Sequence, residues 1–285
     1  MTRRPRTSLR TAAPRTARPR LAGTYIFVGP TLAAPEVVAL LPNGRVLPPA
    51  SVGDVLALAR RRGVKRIAII DGYFERMAAV WHKEILVALE RGIEVYGAAS
   101  MGAIRAAELQ PFGMIGVGAI FDAFVRGAFG QGVRKGGVAR FDGAAAALCA
   151  DDEVAVAHLP AEFHYRPTSD ALVNLRDGLA RARRARAITA DSEEVLVELA
   201  RRRFYRERSW DQLVRDGRAA KVPSRQLAAL DAWRAKARPD RKAEDARLLL
   251  RRLASASRKP ATKRSRPGIS VPRTWAFRQL ERGVR

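Results

Sequence analysis

From residue 23 onward, short apolar runs rich in β-branched residues alternate with amphipathic helical patterns. Three runs are typical of buried strands: "TYIFVG" (24–29), "KRIAIIDG" (65–72) and "IEVYGA" (93–98). A helical pattern over 51–63 precedes the second run, and another over 78–92 precedes the third. A further run, "DEVAVAH" (152–158), is predicted to be a fourth strand. This alternation predicts an α/β fold with a mostly parallel sheet and crossover helices.

The rest of the chain is organised around that predicted Rossmann-like sheet. Residues 1–22 carry 7 Arg and no acidic residue, and they are interpreted as a disordered basic arm. The α/β core spans 23–180. An Arg-rich all-helical C-terminal segment spans 181–256, and a basic tail spans 257–285. The helices of the C-terminal segment are predicted over 192–205, 208–216, 224–237 and 243–256. A glycine-rich stretch, 130–149, is interpreted as an insertion into the core.

The net charge of +25 comes from the ends of the chain, because residues 23–180 hold 16 basic and 16 acidic residues. The excess fits an acidic partner or RNA, although nucleic acid is the weaker interpretation because Arg-rich composition alone can raise the charge. One Cys and three His leave little room for a metal centre, and no cofactor is expected. The absence of a long apolar run predicts a cytoplasmic protein that does not contact a membrane.

Ser100 lies in the stretch "YGAASMGAIRAAEL" (96–109), where a predicted strand passes into a predicted helix. The small residues Ala98 and Gly102 flank it in an A-x-S-x-G pattern, a weakened form of the turn that carries the nucleophile in α/β hydrolases. An alternative is that the Ser100 hydroxyl caps the following helix. The motif by itself leaves both roles open.

Other polar or glycine turns follow the predicted strands, and ligands bind at this edge of parallel sheets. Gly29 and Thr31 follow the first strand, Asp71 the second, Ser100 the third and His158 the fourth. The predicted helix after Asp71 adds three more polar residues that could assist a serine, which are His82, Lys83 and Glu84.

The stretch from Ile70 to Phe124 resembles the core of the TfuA family. The resemblance is carried by the blocks "VWHKEIL" (80–86), "SMGAIRAAEL" (100–109) and "FGMIGVG" (112–118), and it continues in "DDEVAVAH" (151–158) and "YRPTSDALVNLR" (165–176). It covers about residues 23–180 and excludes the arm, the insertion and the C-terminal third.

The resemblance implies that the protein supplies sulfur for peptide thioamidation by hydrolysing the C-terminal thiocarboxylate of a ThiS-type sulfur-carrier protein for a YcaO-type enzyme. In this hypothesis Ser100 is the nucleophile, the N–H groups of Met101 and Gly102 bind the oxyanion, and His82, Lys83 or Asp71 is the base. The remaining matched or edge positions are expected to bind substrate: Arg105, Glu84, Glu108, Gly29 and Thr31. The alternative is a non-catalytic partner that recruits or stimulates the YcaO enzyme, with Ser100 as a helix cap.

Overall fold

A computed structural model describes residues 23–73, 77–127, 151–256 and 270–284. The predicted arm (1–22), the whole predicted insertion (130–149) and residues 257–269 lie outside these described residues. Within them, five strands and eleven α-helices with fully described bounds form one α/β arrangement, and residues 151–154 are also helical.

The five strands form one parallel sheet in the order β2-β1-β3-β4-β5. The order reverses between β1 and β3, which identifies a doubly wound sheet. The predicted strands over 24–29, 65–72 and 93–98 are confirmed as β1, β3 and β4, and β2 and β5 are additional. The strands are Thr24–Phe27 (β1), Arg45–Leu47 (β2), Arg66–Ile69 (β3), Glu94–Ala98 (β4) and Ile115–Val117 (β5).

The crossover connections place helices on both faces of this sheet. The helices that follow β2, β3, β4 and β5 pack with one face through a single hydrophobic cluster that includes Leu56, Ile85, Ile104 and Phe121. The helices that connect the strands are Ala34–Leu40 (α1), Asp54–Arg60 (α2), His82–Glu90 (α3) and Met101–Leu109 (α4), and Ala119–Val125 (α5) follows β5.

The predicted C-terminal helices are present, and one of them packs against the sheet. Helix α10 covers the second face beside α1, where Leu249, Leu250 and Leu253 pack with Ile26 and Ile70. Four preceding helices share a separate cluster. These helices are Leu172–Arg184 (α6), Ala190–Arg202 (α7), Trp210–Ala219 (α8), Ser224–Ala237 (α9) and Arg241–Ala256 (α10).

The C-terminal segment predicted as a basic tail contains a helix, Trp275–Gly283 (α11), that packs on the α2 and α3 side of the sheet. Its Phe277 is fully buried there, and Lys83 and Arg273 place their cationic groups over the Phe277 ring. Aromatic and apolar residues lie three positions apart in this helix, but the surrounding arginines obscure the pattern in the sequence.

The predicted fourth strand over 152–158 is wrong. The described residues 151–154 are helical, and His158 instead forms an isolated antiparallel bridge with Pro167. The carbonyl groups that a neighbouring strand would have bound accept hydrogen bonds from two buried cations, because Arg208 donates to the Asp152 carbonyl and Lys242 to the Val154 carbonyl. Cations are favourable at the C-terminal end of a helix, and they stabilise the helical form.

Candidate active site at the sheet edge

A pocket lies at the edge of the sheet where the strand order reverses, which is the ligand-binding position in this fold. It contains about 520 Å³ of empty space, part of it open to solvent. The segments that follow β1, β3 and β4 meet here, as expected from the sequence. The lining residues are Pro30, Asp71, Gly72, Tyr73, Ser100, Val154, Val156, Ala157, His158, Tyr205 and Arg206.

Ser100 lies on a tight turn between β4 and α4. Its N–H donates to the Ala98 carbonyl at 2.8 Å, and Ala99 adopts a left-handed φ of 65°. Few residues other than glycine adopt this conformation, so the turn is constrained. Ser100 itself is 3% exposed and lines the pocket.

The Ser100 hydroxyl does not cap α4, although the backbone of Ser100 begins the helix. It accepts no cap hydrogen bond, and it has no hydrogen-bond partner among the described residues. Ser209 and Thr274 show the contrasting arrangement, since their hydroxyl groups accept from the N–H groups of Gln212 and Phe277 at the starts of α8 and α11. The geometry therefore leaves the Ser100 hydroxyl available to the pocket.

Gly102 explains why small residues surround Ser100. A Cβ at this position would lie 1.7 Å from the Ile69 carbonyl oxygen, so only glycine lets α4 approach β3 this closely. The Gly102 N–H donates to the Ile70 carbonyl at 3.3 Å, which removes it from the predicted oxyanion site. The Met101 N–H has no backbone acceptor among the described residues, and it stays the predicted oxyanion donor.

Asp71 is fully engaged in holding the turn after β1. Its Oδ2 accepts from the N–H groups of Gly29 at 2.8 Å and Thr31 at 3.0 Å, and its Oδ1 accepts from the Thr31 hydroxyl at 2.6 Å. These bonds occupy the backbone donors of Gly29 and Thr31 that were predicted to bind substrate. Asp71 is placed as a positioning residue for the pocket wall, and its carboxylate is already paired with three donors.

His82 does not reach Ser100. Its Nε2 lies 2.8 Å from Oε2 of Glu108, which also accepts from Nη1 of Arg105 at 2.7 Å. Glu108 lies eight positions after Ser100 along α4, a rise of about 12 Å. Burial raises the pKa of the Glu108 carboxyl, but the bonds and charges of His82 and Arg105 outweigh it, and the net pKa is lowered. These three predicted site residues form a separate charged cluster on the protein surface.

Lys83 and Glu84 also lie apart from the pocket. The Lys83 ammonium group donates to the Thr274 hydroxyl at 2.9 Å and so contacts the segment that carries α11. Glu84 is fully buried, and its two oxygens accept from the N–H groups of Gly53, Leu56 and Trp81 at the starts of α2 and α3. Burial raises the pKa of Glu84, and the three backbone donors partly oppose this effect.

Several polar residues that line the pocket were not predicted as site residues. His158 was predicted to lie at this edge without a catalytic role, and Tyr73 adjoins the predicted Asp71 turn. Tyr205 and Arg206 come from a short turn after α7, where a longer helix was predicted. Nothing in their local sequence indicates that this turn closes over the sheet edge.

Lys242, on helix α10 at the second face of the sheet, supports the wall of the pocket. It is only 3% exposed, and its ammonium group donates to the Val154 carbonyl at 2.8 Å. Burial lowers the pKa of Lys242, while the negative charges of Asp71 and Asp240 oppose this effect. Lys242 therefore holds the segment that leads to His158, with its amino group near the buried Asp71 carboxylate.

Within the part of the chain that the structure describes, no group of three His, Cys, Asp or Glu side chains is placed to bind a metal ion. The described helices include none that is both long and apolar enough to cross a bilayer.

A comparison with protein families matches residues 71–209 to the family model described as TfuA-like protein. The match begins at Asp71 and ends just beyond Arg206, so it includes every residue that lines the pocket except Pro30. No curated protein matches the chain significantly.

Proposed function

Because the chain belongs to the TfuA-like family through residues 71–209, we propose that it hydrolyses the C-terminal thiocarboxylate of a small ThiS-type sulfur-carrier protein and supplies the sulfide to a YcaO-type enzyme. The single observation that supports a hydrolase most directly is the placement of Ser100. Ser100 lines the pocket, and its hydroxyl makes no cap bond and has no hydrogen-bond partner among the described residues.

The chemistry required is acyl transfer from sulfur to water. In the proposed reaction Oγ of Ser100 bonds to the thiocarboxylate carbon, the carbon–sulfur bond breaks, and water then cleaves the resulting ester. The net change converts one thiocarboxylate and one water into a carboxylate and hydrogen sulfide. The Met101 N–H is the proposed donor to the oxyanion, and Arg206 brings a guanidinium group that favours an anionic substrate.

Two features of the pocket fit the end of a protein chain as substrate. The pocket is open to solvent on one side, so a flexible C-terminus can enter while its folded domain stays outside. Gly72 and Ala157 contribute small residues to its lining.

The proposal is tested by incubating the purified full-length protein with a thiocarboxylated carrier protein and without a YcaO enzyme. Released sulfide and the mass of the carrier are measured together, and the proposal predicts that both change at the same rate. Ser100→Ala is expected to lower this rate by about a hundredfold or more, because it removes the nucleophile. Its thermal unfolding should be close to that of the wild type, since the hydroxyl makes no cap bond.

Ser209→Ala is the matched control, because its hydroxyl caps α8 and does not line the pocket. It should lose about 1 kcal/mol of stability and retain full hydrolysis. A wild-type protein that releases no sulfide, yet accelerates a YcaO enzyme supplied with free sulfide, would favour the non-catalytic partner instead.

A further inference from the structure

We infer that His158 is the base that activates Ser100, with Nε2 of its imidazole as the proton acceptor. This inference rests on the proposed function for the identity of the substrate, but not for the activation of the serine. His158 and Ser100 line the same pocket, whereas His82, Lys83 and Asp71 bond to other partners.

The hydrogen bond of Nδ1 determines which nitrogen of the His158 ring can accept a proton. Nδ1 of His158 lies 2.8 Å from the carbonyl oxygen of Leu159, and a carbonyl oxygen can only accept. Nδ1 therefore carries the proton in the neutral ring, and Nε2 retains its lone pair. This is the same division of roles as in serine hydrolases, where one ring nitrogen is held and the other accepts the serine proton.

The backbone around His158 is held on both sides. The Leu159 N–H donates to the Arg166 carbonyl at 2.9 Å, and the Thr168 N–H donates to the Ala157 carbonyl at 2.8 Å. The Ala157 N–H donates to the Ser169 hydroxyl, also at 2.8 Å. The imidazole is thus carried by a short, hydrogen-bonded pair of segments rather than by a free loop.

Two tyrosine rings fix the plane of the imidazole. The Tyr165 ring meets it edge-on with centroids 5.8 Å apart, and the Tyr73 ring lies 6.2 Å away on a tilted plane. Burial and a hydrogen bond with Tyr165 raise the pKa of Tyr73 to about 12, so its hydroxyl stays protonated at neutral pH. Tyr73 and Tyr165 are assigned as positioning residues.

The proton movements balance over the two steps. When Oγ of Ser100 bonds to the carbonyl carbon, its proton passes to Nε2 of His158, and the resulting imidazolium gives it to the leaving sulfur. In the second step water attacks the ester carbon while one of its protons passes to Nε2. That proton returns to Oγ of Ser100 as the carbon–oxygen bond breaks.

The test uses an alkyl fluorophosphonate, which bonds covalently to activated serines, so it does not depend on the carrier protein. Labelling of the full-length protein is followed by intact mass, and Ser100→Ala identifies the labelled residue. We expect wild-type protein to be labelled at Ser100. His158→Asn, which keeps a side-chain donor near the Leu159 carbonyl but lacks Nε2, should label at least a hundredfold more slowly.

His82→Asn is the matched control, since it alters the histidine that was predicted as the base but contacts Glu108, and it should label at the wild-type rate. His158→Ala with added imidazole provides a second measurement, and recovery of labelling supports the inference even where His158→Asn is less stable. Wild-type labelling without sulfide release would reject the proposed substrate and retain His158 as the base. Labelling of both His158 variants at the wild-type rate, or no labelling of wild-type Ser100, overturns the inference.

Discussion

At the scale of single residues, Glu84 shows how burial converts a predicted substrate ligand into a structural group whose effect depends on pH. Because burial raises its pKa in the folded protein, the folded state holds the Glu84 proton more tightly than the unfolded state. Its contribution to stability is therefore largest below the unfolded pKa, and it declines as pH rises through the folded pKa. We expect the stability of the wild type relative to Glu84→Gln to fall as the pH is raised from about 4.

Urea unfolding midpoints of the two proteins across this pH range provide the measurement. Glu162→Gln, at an exposed carboxylate, is the control and should show no such trend. A relative stability of the wild type that rises with pH would show that the three backbone donors outweigh burial.

At the scale of elements, the contact between α4 and the sheet depends on two glycines that approach each other. A Cβ on Gly97 would lie 2.0 Å from the Gly102 carbonyl oxygen, and one on Gly102 would meet the Ile69 carbonyl. We predict that Gly102→Ala moves the start of α4 away from the sheet, costs about 1–3 kcal/mol and slows the labelling of Ser100. Gly283→Ala, where a Cβ has open space, should change neither the melting temperature nor the labelling rate.

At the scale of the whole molecule, α10 couples the C-terminal third to the sheet. Leu250 is fully buried between α10 and the strands, whereas Leu248 on the same helix is 48% exposed. Leu250→Ala should therefore lower the free energy of unfolding by about 2–5 kcal/mol, and Leu248→Ala should leave it nearly unchanged. Thermal unfolding followed by tryptophan fluorescence and by circular dichroism measures both. If α10 were only an appendage, Leu250→Ala would leave the main unfolding transition at the wild-type temperature.

The sequence by itself determined most of the secondary structure, because the period of apolar residues is a local property of the chain. The strands around Ile26, Ile67 and Val95 and the helices between residues 190 and 256 follow directly from it, whereas α11 does not. It also determined that the turns at Asp71 and Ser100 share one edge, since parallel strands place their carboxyl ends together. The TfuA-like resemblance came from continuous blocks of residues, which need no fold to be recognised.

Only the tertiary structure decided which of those residues meet. The block that contains "VWHKEI" is followed in the sequence by the block that contains Ser100. Side chains on one helix point in several directions, however, so His82, Lys83 and Glu84 each contact a different part of the molecule. The run 152–158 has the alternation of a strand, but Arg208 and Lys242, distant in sequence, bind its carbonyl groups and favour a helix and a turn. His158 joins Ser100 for the same reason: its place in the pocket is set by long-range contacts, which no local pattern encodes.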